Sequence, residues 1–131
     1  NRALRSIDSQ MKKQMWFEAK KEDKGYRYLP MQNRGGHKKY FEKYYADVMP
    51  MFEKIIDTFK TSSTEQCEIV ATLYSAWDDL LQNHQPFTDD DILNEVLNNW
   101  NETKKRIKRS RWQAALDWMC ANGFVPQNNN R

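Results

Sequence analysis

Apolar positions along most of this chain recur at three- and four-residue steps, the period of one helix face. Over residues 38–60, Phe41, Tyr44, Tyr45, Val48, Phe52, Ile55, Ile56 and Phe59 keep that step. Pro50 interrupts it; proline has no amide donor and collides with the preceding turn, so a kink or two abutting helices is predicted. Over residues 65–81, Ile69, Leu73, Ala76, Trp77 and Leu80 share an inward face flanked by Val70, Tyr74 and Leu81, with a capping box offered by Ser62 and Glu65 or by Ser63 and Gln66. Thr88 then precedes three aspartates and the apolar run Ile92, Leu93, Val96, Leu97 and Trp100, the pattern of an N-cap and an acidic first turn. Trp112, Ala115, Leu116, Met119 and Cys120 trace a last inward face, opened by a Ser110/Gln113 capping box and stopped by Gly123, after which "FVP" reads as a short extended piece. At the other end, Ile7, Met11 and Met15 predict a helix over residues 5–23, and "KGYRYLPMQNRGG" breaks it with turn residues and interleaved rings and charges. Those rings suit base stacking or the pinning of the loop to its own domain.

The predicted class is therefore mostly α, about five helices. At 131 residues with 39% hydrophobic content, five Trp, six Tyr and six Phe, the chain reads as a single helical domain able to build a core. Within it, residues 1–64 form a helical N-terminal part, 65–126 a second part and 127–131 a disordered tail. The Asn1 start and the polar "PQNNNR" end suggest a C-terminal fragment of a longer polypeptide. No run of 18 apolar residues and no charged-then-apolar leader occurs, so neither a membrane span nor a signal peptide is supported and a cytoplasmic location is expected.

Candidate chemistry is sparse. Cys67 and Cys120 have no CxxC partner, His37 and His84 lack a ligand at metal spacing, and Asp89, Asp90 and Asp91 are consecutive rather than alternating as in a calcium loop. There is no glycine-rich phosphate loop and no nucleophile in a triad context. The expectation is a non-catalytic chain without metal or cofactor.

Charge changes the picture more than composition does. Residues 1–64 carry fourteen basic and eight acidic side chains, residues 65–103 nine acidic and none basic, and residues 104–131 seven basic and one acidic. A net charge of +3 thus hides two basic poles around an acidic belt.

Residues 65–126, with "TDDDILNEVL" opening one helix and "ALDWMCANGFV" ending another, resemble a winged-helix domain. The connection from Trp100 to Ser110 is longer than a simple helix-turn-helix turn, and nothing after Val125 reads as a second wing strand, so the wing would be rudimentary or absent. "EIVATLYSAWDDLL", "NNW" and "RWQAALDWMCANGFVP" also look like C-terminal accessory regions of bacterial restriction-system subunits, which implies a DNA-handling complex.

The expected site is the stretch "KKRIKRSRWQ". If the last helix enters a DNA groove, Arg109, Arg111 and Gln113 approach base edges while Lys104, Lys105, Arg106 and Lys108 meet phosphate, with Ile107 anchoring the loop inward. The same cations would alternatively offset the chain's own acidic helices or bind a partner subunit. Trp118, off the buried stripe with Ala114 and Arg111, suits a partner surface or equally a place beneath the N-terminal helices. The functional expectation is a non-catalytic domain of a bacterial DNA-processing assembly, possessing a double-stranded DNA contact, a subunit-docking surface or both. The alternative is a purely structural protein–protein interaction module.

Overall fold

A computed structural model of the chain describes residues 2–99 and 102–127. Trp100, expected on an inward helix face, and positions 128–131 of the expected tail lie outside the described residues. The architecture is mostly α, with six α-helices and one two-stranded antiparallel sheet among the described residues. Where the sequence reading drew a line at 64/65 inside one domain, the chain divides into two compact units, Asn1–Asp57 and Thr58–Arg131.

In the first unit, α1 (Arg2–Lys13) ends ten residues before the position its periodicity suggested. Met15 takes a left-handed φ of 60°, its amide bonds back to Lys12 O and the Trp16 amide to Met11 O, the double reversal that closes a helix and turns the chain out of it. The segment expected to continue that helix is instead β1 (Phe17–Glu22), paired with β2 (Gly25–Pro30) in the register Phe17↔Pro30 through Glu22↔Gly25. A two-residue connection, Asp23 and Lys24, closes the hairpin. Tyr28 donates its hydroxyl to Asp8 Oδ1 at 2.9 Å, and Lys12 pairs with Glu18 at 2.7 Å, so the hairpin is tied back to α1 by polar side chains. After the 31–37 turn come α2 (Lys38–Tyr45), a single 3-10 turn (Ala46–Val48) and α3 (Met49–Phe59), whose last two residues belong to the second unit. Pro50 sits in the first turn of α3, where a missing amide costs nothing, which is why the predicted interruption becomes two abutting helices. Phe41 joins them, stacked on Tyr45 and edge-on to Phe52 with centroids 5.1 Å apart.

The second unit holds every fully buried apolar side chain among the described residues. Its first helix, α4 (Thr64–Gln82), starts at the Ser63/Gln66 box: the Ser63 hydroxyl accepts from the Gln66 amide and the Gln66 side chain accepts from the Ser63 amide. Next comes α5 (Asp89–Asn99), where Asp91 accepts from both the amide and the hydroxyl of Thr88, a reciprocal cap that holds its carboxyl below the usual range. A 3-10 stretch (Glu102–Arg106) leads to α6 (Arg109–Ala121). Ile69, Leu73 and Ala76 of α4, Ile92, Leu93 and Val96 of α5, and Trp112, Leu116 and Met119 of α6 form one core. At the end of α6, Gly123 has φ of 66° and the Phe124 amide reaches back to Met119 O at 2.8 Å, laying the Phe124 ring against the core. No strand follows among the described residues, so "FVP" leaves the helix without pairing.

Candidate functional site

The stretch singled out by its charge lies between two buried anchors. Ile107 is 4% exposed, Trp112 is fully buried, and the Trp112 indole N–H donates to Ile107 O at 3.3 Å. That bond sets the helix start: α6 begins at Arg109 with Lys108 as its N-cap and no side-chain cap. The expected Ser110/Gln113 box is therefore not formed; both residues already lie inside the first turn and a half, and Gln113 donates its amide to Asp117 Oδ1 at 3.0 Å.

With the backbone held this way, the cations reach over α4 and α5. Lys104 Nζ meets Glu68 Oε1 at 2.7 Å, and Arg106 Nη2 meets Glu68 Oε2 at 2.7 Å while its Nη1 reaches Glu65 Oε2 at 3.5 Å. Arg111 pairs with Glu65. Arg109 Nη2 meets Asp90 Oδ1 at 2.7 Å and its Nη1 reaches Asn94 Oδ1 at 3.4 Å. Lys104, Arg106, Arg109 and Arg111 thus engage carboxylates of the acidic belt. Single exposed ion pairs contribute little, about 0 to 1 kcal/mol, but Glu65 and Glu68 each serve two cations, and ordering a carboxylate once for two partners lowers the entropic cost per pair.

The Lys104 ammonium, its side chain only 16% exposed, holds the Glu68 carboxyl below the usual carboxylate range, with Arg106 adding to the effect. A depressed carboxyl stabilises the fold above its unfolded pKa and loses that contribution as pH falls through the folded one. Stability should accordingly be flat from neutral pH to about pH 5 and fall below about pH 4.3. Glu68→Gln should lower the melting temperature at neutral pH and make the acid limb shallower; an unchanged acid limb measured by thermal melts across pH would show that Glu68 is not coupled to folding.

Beside this network is an apolar cleft of about 460 Å³ within the second unit. Phe59, Ile69, Val70, Ala115 and Trp118 form its walls, and Gln66, Ser110 and Arg111 line it with polar atoms. Trp118 is braced by Phe59 and Phe124, centroids 5.9 and 6.1 Å away. The three residues that periodicity left off the buried stripe, Arg111, Ala114 and Trp118, all line this cleft.

A further surface belongs to the first unit, where no side chain of α2 or α3 is buried. Tyr44, Tyr45 and Ile56, which their spacing sets in a one-face helical pattern, are each more than half exposed, as is Met51. Sequence periodicity reports that a helix is amphipathic and not what its apolar face meets.

Other candidate groups stay apart. Cys67 and Cys120 are free thiols, and desolvation pushes Cys120 above its ordinary value with Asp89 and Asp117 adding to the shift, which disfavours the thiolate. Among the described residues no three His, Cys, Asp or Glu side chains converge, and no helix is long and apolar enough to cross a membrane. No family model, curated protein or solved structure matches the chain.

Proposed function

We propose that this chain is a non-catalytic docking module of a larger, DNA-processing assembly, and that it meets another protein subunit through the α2–α3 surface. The observation that carries this reading is the exposure of these helices: Tyr44 at 68% and Ile56 at 61%, with Tyr45 and Met51 also more than half exposed, in a unit with no buried side chain among its described residues. Large apolar side chains left in water are unfavourable, and a partner that covers them removes that cost. On this reading the basic stretch is an internal clamp, since Lys104, Arg106, Arg109 and Arg111 already face Glu65, Glu68 and Asp90. The competing reading, duplex DNA held by residues 104–113, requires those cations to exchange protein carboxylates for phosphate.

A photo-crosslinking phenylalanine analogue placed at position 44 or 56, in cells of the native host, should give a protein adduct of one discrete mass. The same analogue at Lys21 on the hairpin serves as the control. If positions 44 and 56 give no adduct, or only the pattern seen at Lys21, the docking face is wrong.

A further inference from the structure

A second hollow, also about 460 Å³, lies wholly within the first unit, where α1 hands over to β1 and the 31–37 turn enters α2. Its lining is unlike that of the apolar cleft. Trp16 and Tyr40 supply aromatic walls, centroids 6.3 Å apart with planes inclined by 45°. Arg34 and Lys39 supply two cations, and Gln14 and Asn33 supply carboxamides. No carboxylate is among the described residues that line it, so these cations meet no neutralising partner there, in contrast to the basic stretch of the second unit.

The backbone is arranged to hold the indole in place. Met15, at a left-handed φ that side chains other than glycine disfavour, turns Trp16 out of α1; the Trp16 carbonyl accepts from the Met31 amide at 3.0 Å and the Met15 carbonyl from the Asn33 amide at 2.8 Å. Gly36 is required by the same seat, since a Cβ there would lie 2.9 Å from Trp16 Nε1 and 3.1 Å from Asn33 O. The His37 ring backs the indole with centroids 5.7 Å apart. Lys39 Nζ sits 5.0 Å from the Tyr40 ring centroid, which keeps a positive charge beside the aromatic wall.

We infer that this hollow is a nucleoside-phosphate site, with the base lying against Trp16 or Tyr40 and the phosphate taken by Arg34 and Lys39. Stacking requires only a π-face and phosphate capture only cations without a competing anion, so the pair of features selects a ligand that is both planar and anionic. The hollow falls in the usual size range of ligand pockets. A free nucleotide and a nucleotide within a single strand present the same base and phosphate. The site lies outside residues 104–113 and does not rest on the docking reading.

The test uses a fluorescein-labelled short oligodeoxythymidine followed by anisotropy, with AMP and inorganic phosphate as competitors and AMP titrated directly by calorimetry. AMP should bind and should outcompete inorganic phosphate by about tenfold or more, because the phosphate ion lacks the stacking half of the ligand. Tyr40→Ala, at a half-exposed position, should weaken binding roughly fivefold to a hundredfold, and Arg34→Glu with Lys39→Glu should abolish it, both with an unchanged circular dichroism spectrum. An oligonucleotide bound about tenfold tighter than AMP identifies a strand as the source; equal or weaker binding identifies the free nucleotide. For the strand, replacing both cations by alanine should shallow the logarithmic salt slope by about 1.4. The inference is overturned if neither probe binds at millimolar concentration, if inorganic phosphate competes as well as AMP, or if folded Tyr40 and Arg34/Lys39 variants bind like the parent.

Discussion

Replacing Trp112 by alanine should lower the unfolding free energy of the second unit by about 3 to 5 kcal/mol, the range for deleting a large buried aromatic side chain. Trp112 is fully buried in the core that also holds Leu73, Ile92, Leu93, Leu116 and Met119. The substitution also removes the indole donor to Ile107 O, leaving a carbonyl at the root of the basic stretch without that partner. Because native domains are stable by only about 5 to 15 kcal/mol, this one change should remove a large fraction of the unit's stability. Denaturant unfolding followed by circular dichroism measures it. Trp118→Ala, at 37% exposure, is the control and should cost clearly less. Equal costs at the two positions would mean that the face assignment of α6 is wrong.

The second large effect is electrostatic. Reversing Arg106 and Arg109 to glutamate would place new carboxylates against Glu65, Glu68 and Asp90, turning three attractions into repulsions within one acidic belt. Each pair alone is partly exposed and worth little, but reversal both removes the attraction and adds a like charge. The melting temperature should fall by roughly 5 to 10 °C at low salt, and the deficit should shrink as salt screens the belt. Charge-neutral Arg106→Gln with Arg109→Gln should fall less. A melt insensitive to the reversal would show that the clamp contributes nothing to stability.

Much of the second unit was legible because its helices follow one rule throughout. Ile69, Leu73, Ile92, Val96, Trp112, Leu116 and Met119 are buried as their spacing predicts, while Trp77 and Leu80, on the same stripe, are only partly covered. Of the two capping boxes offered before α4, Ser63/Gln66 forms, and Thr88 caps α5 as its position suggested. At α6 the Trp112 to Ile107 bond overrode local capping preference, a constraint invisible to a window of a few residues.

The first unit was less legible for two reasons. Ala19, Lys20, Lys21 and Glu22 are good helix formers, so propensity argued for a helix where strand pairing won. Met15 in a left-handed conformation carries no mark in sequence, since glycine or asparagine is the residue that usually signals it. A signal was present all the same: Asp23, Lys24 and Gly25 form a turn-like stretch, and Tyr26 and Tyr28 alternate after it. Charge partition correctly pointed to the basic stretch as unusual, but its direction was open, because Lys104 and Arg111 meet Glu68 and Glu65 across separations of 36 and 46 residues.

On the proposed reading, Lys104, Arg106, Arg109 and Arg111 clamp the chain's own acidic helices rather than grip phosphate. The most direct measurement is duplex DNA affinity across a salt series for the parent chain and the Arg106→Glu, Arg109→Glu variant, at a temperature where both are folded. The variant should melt earlier while its duplex affinity and salt slope match those of the parent. A variant that melts like the parent, binds duplex more weakly and shows a salt slope shallower by about 1.8, as for two lost phosphate contacts, would overturn the clamp.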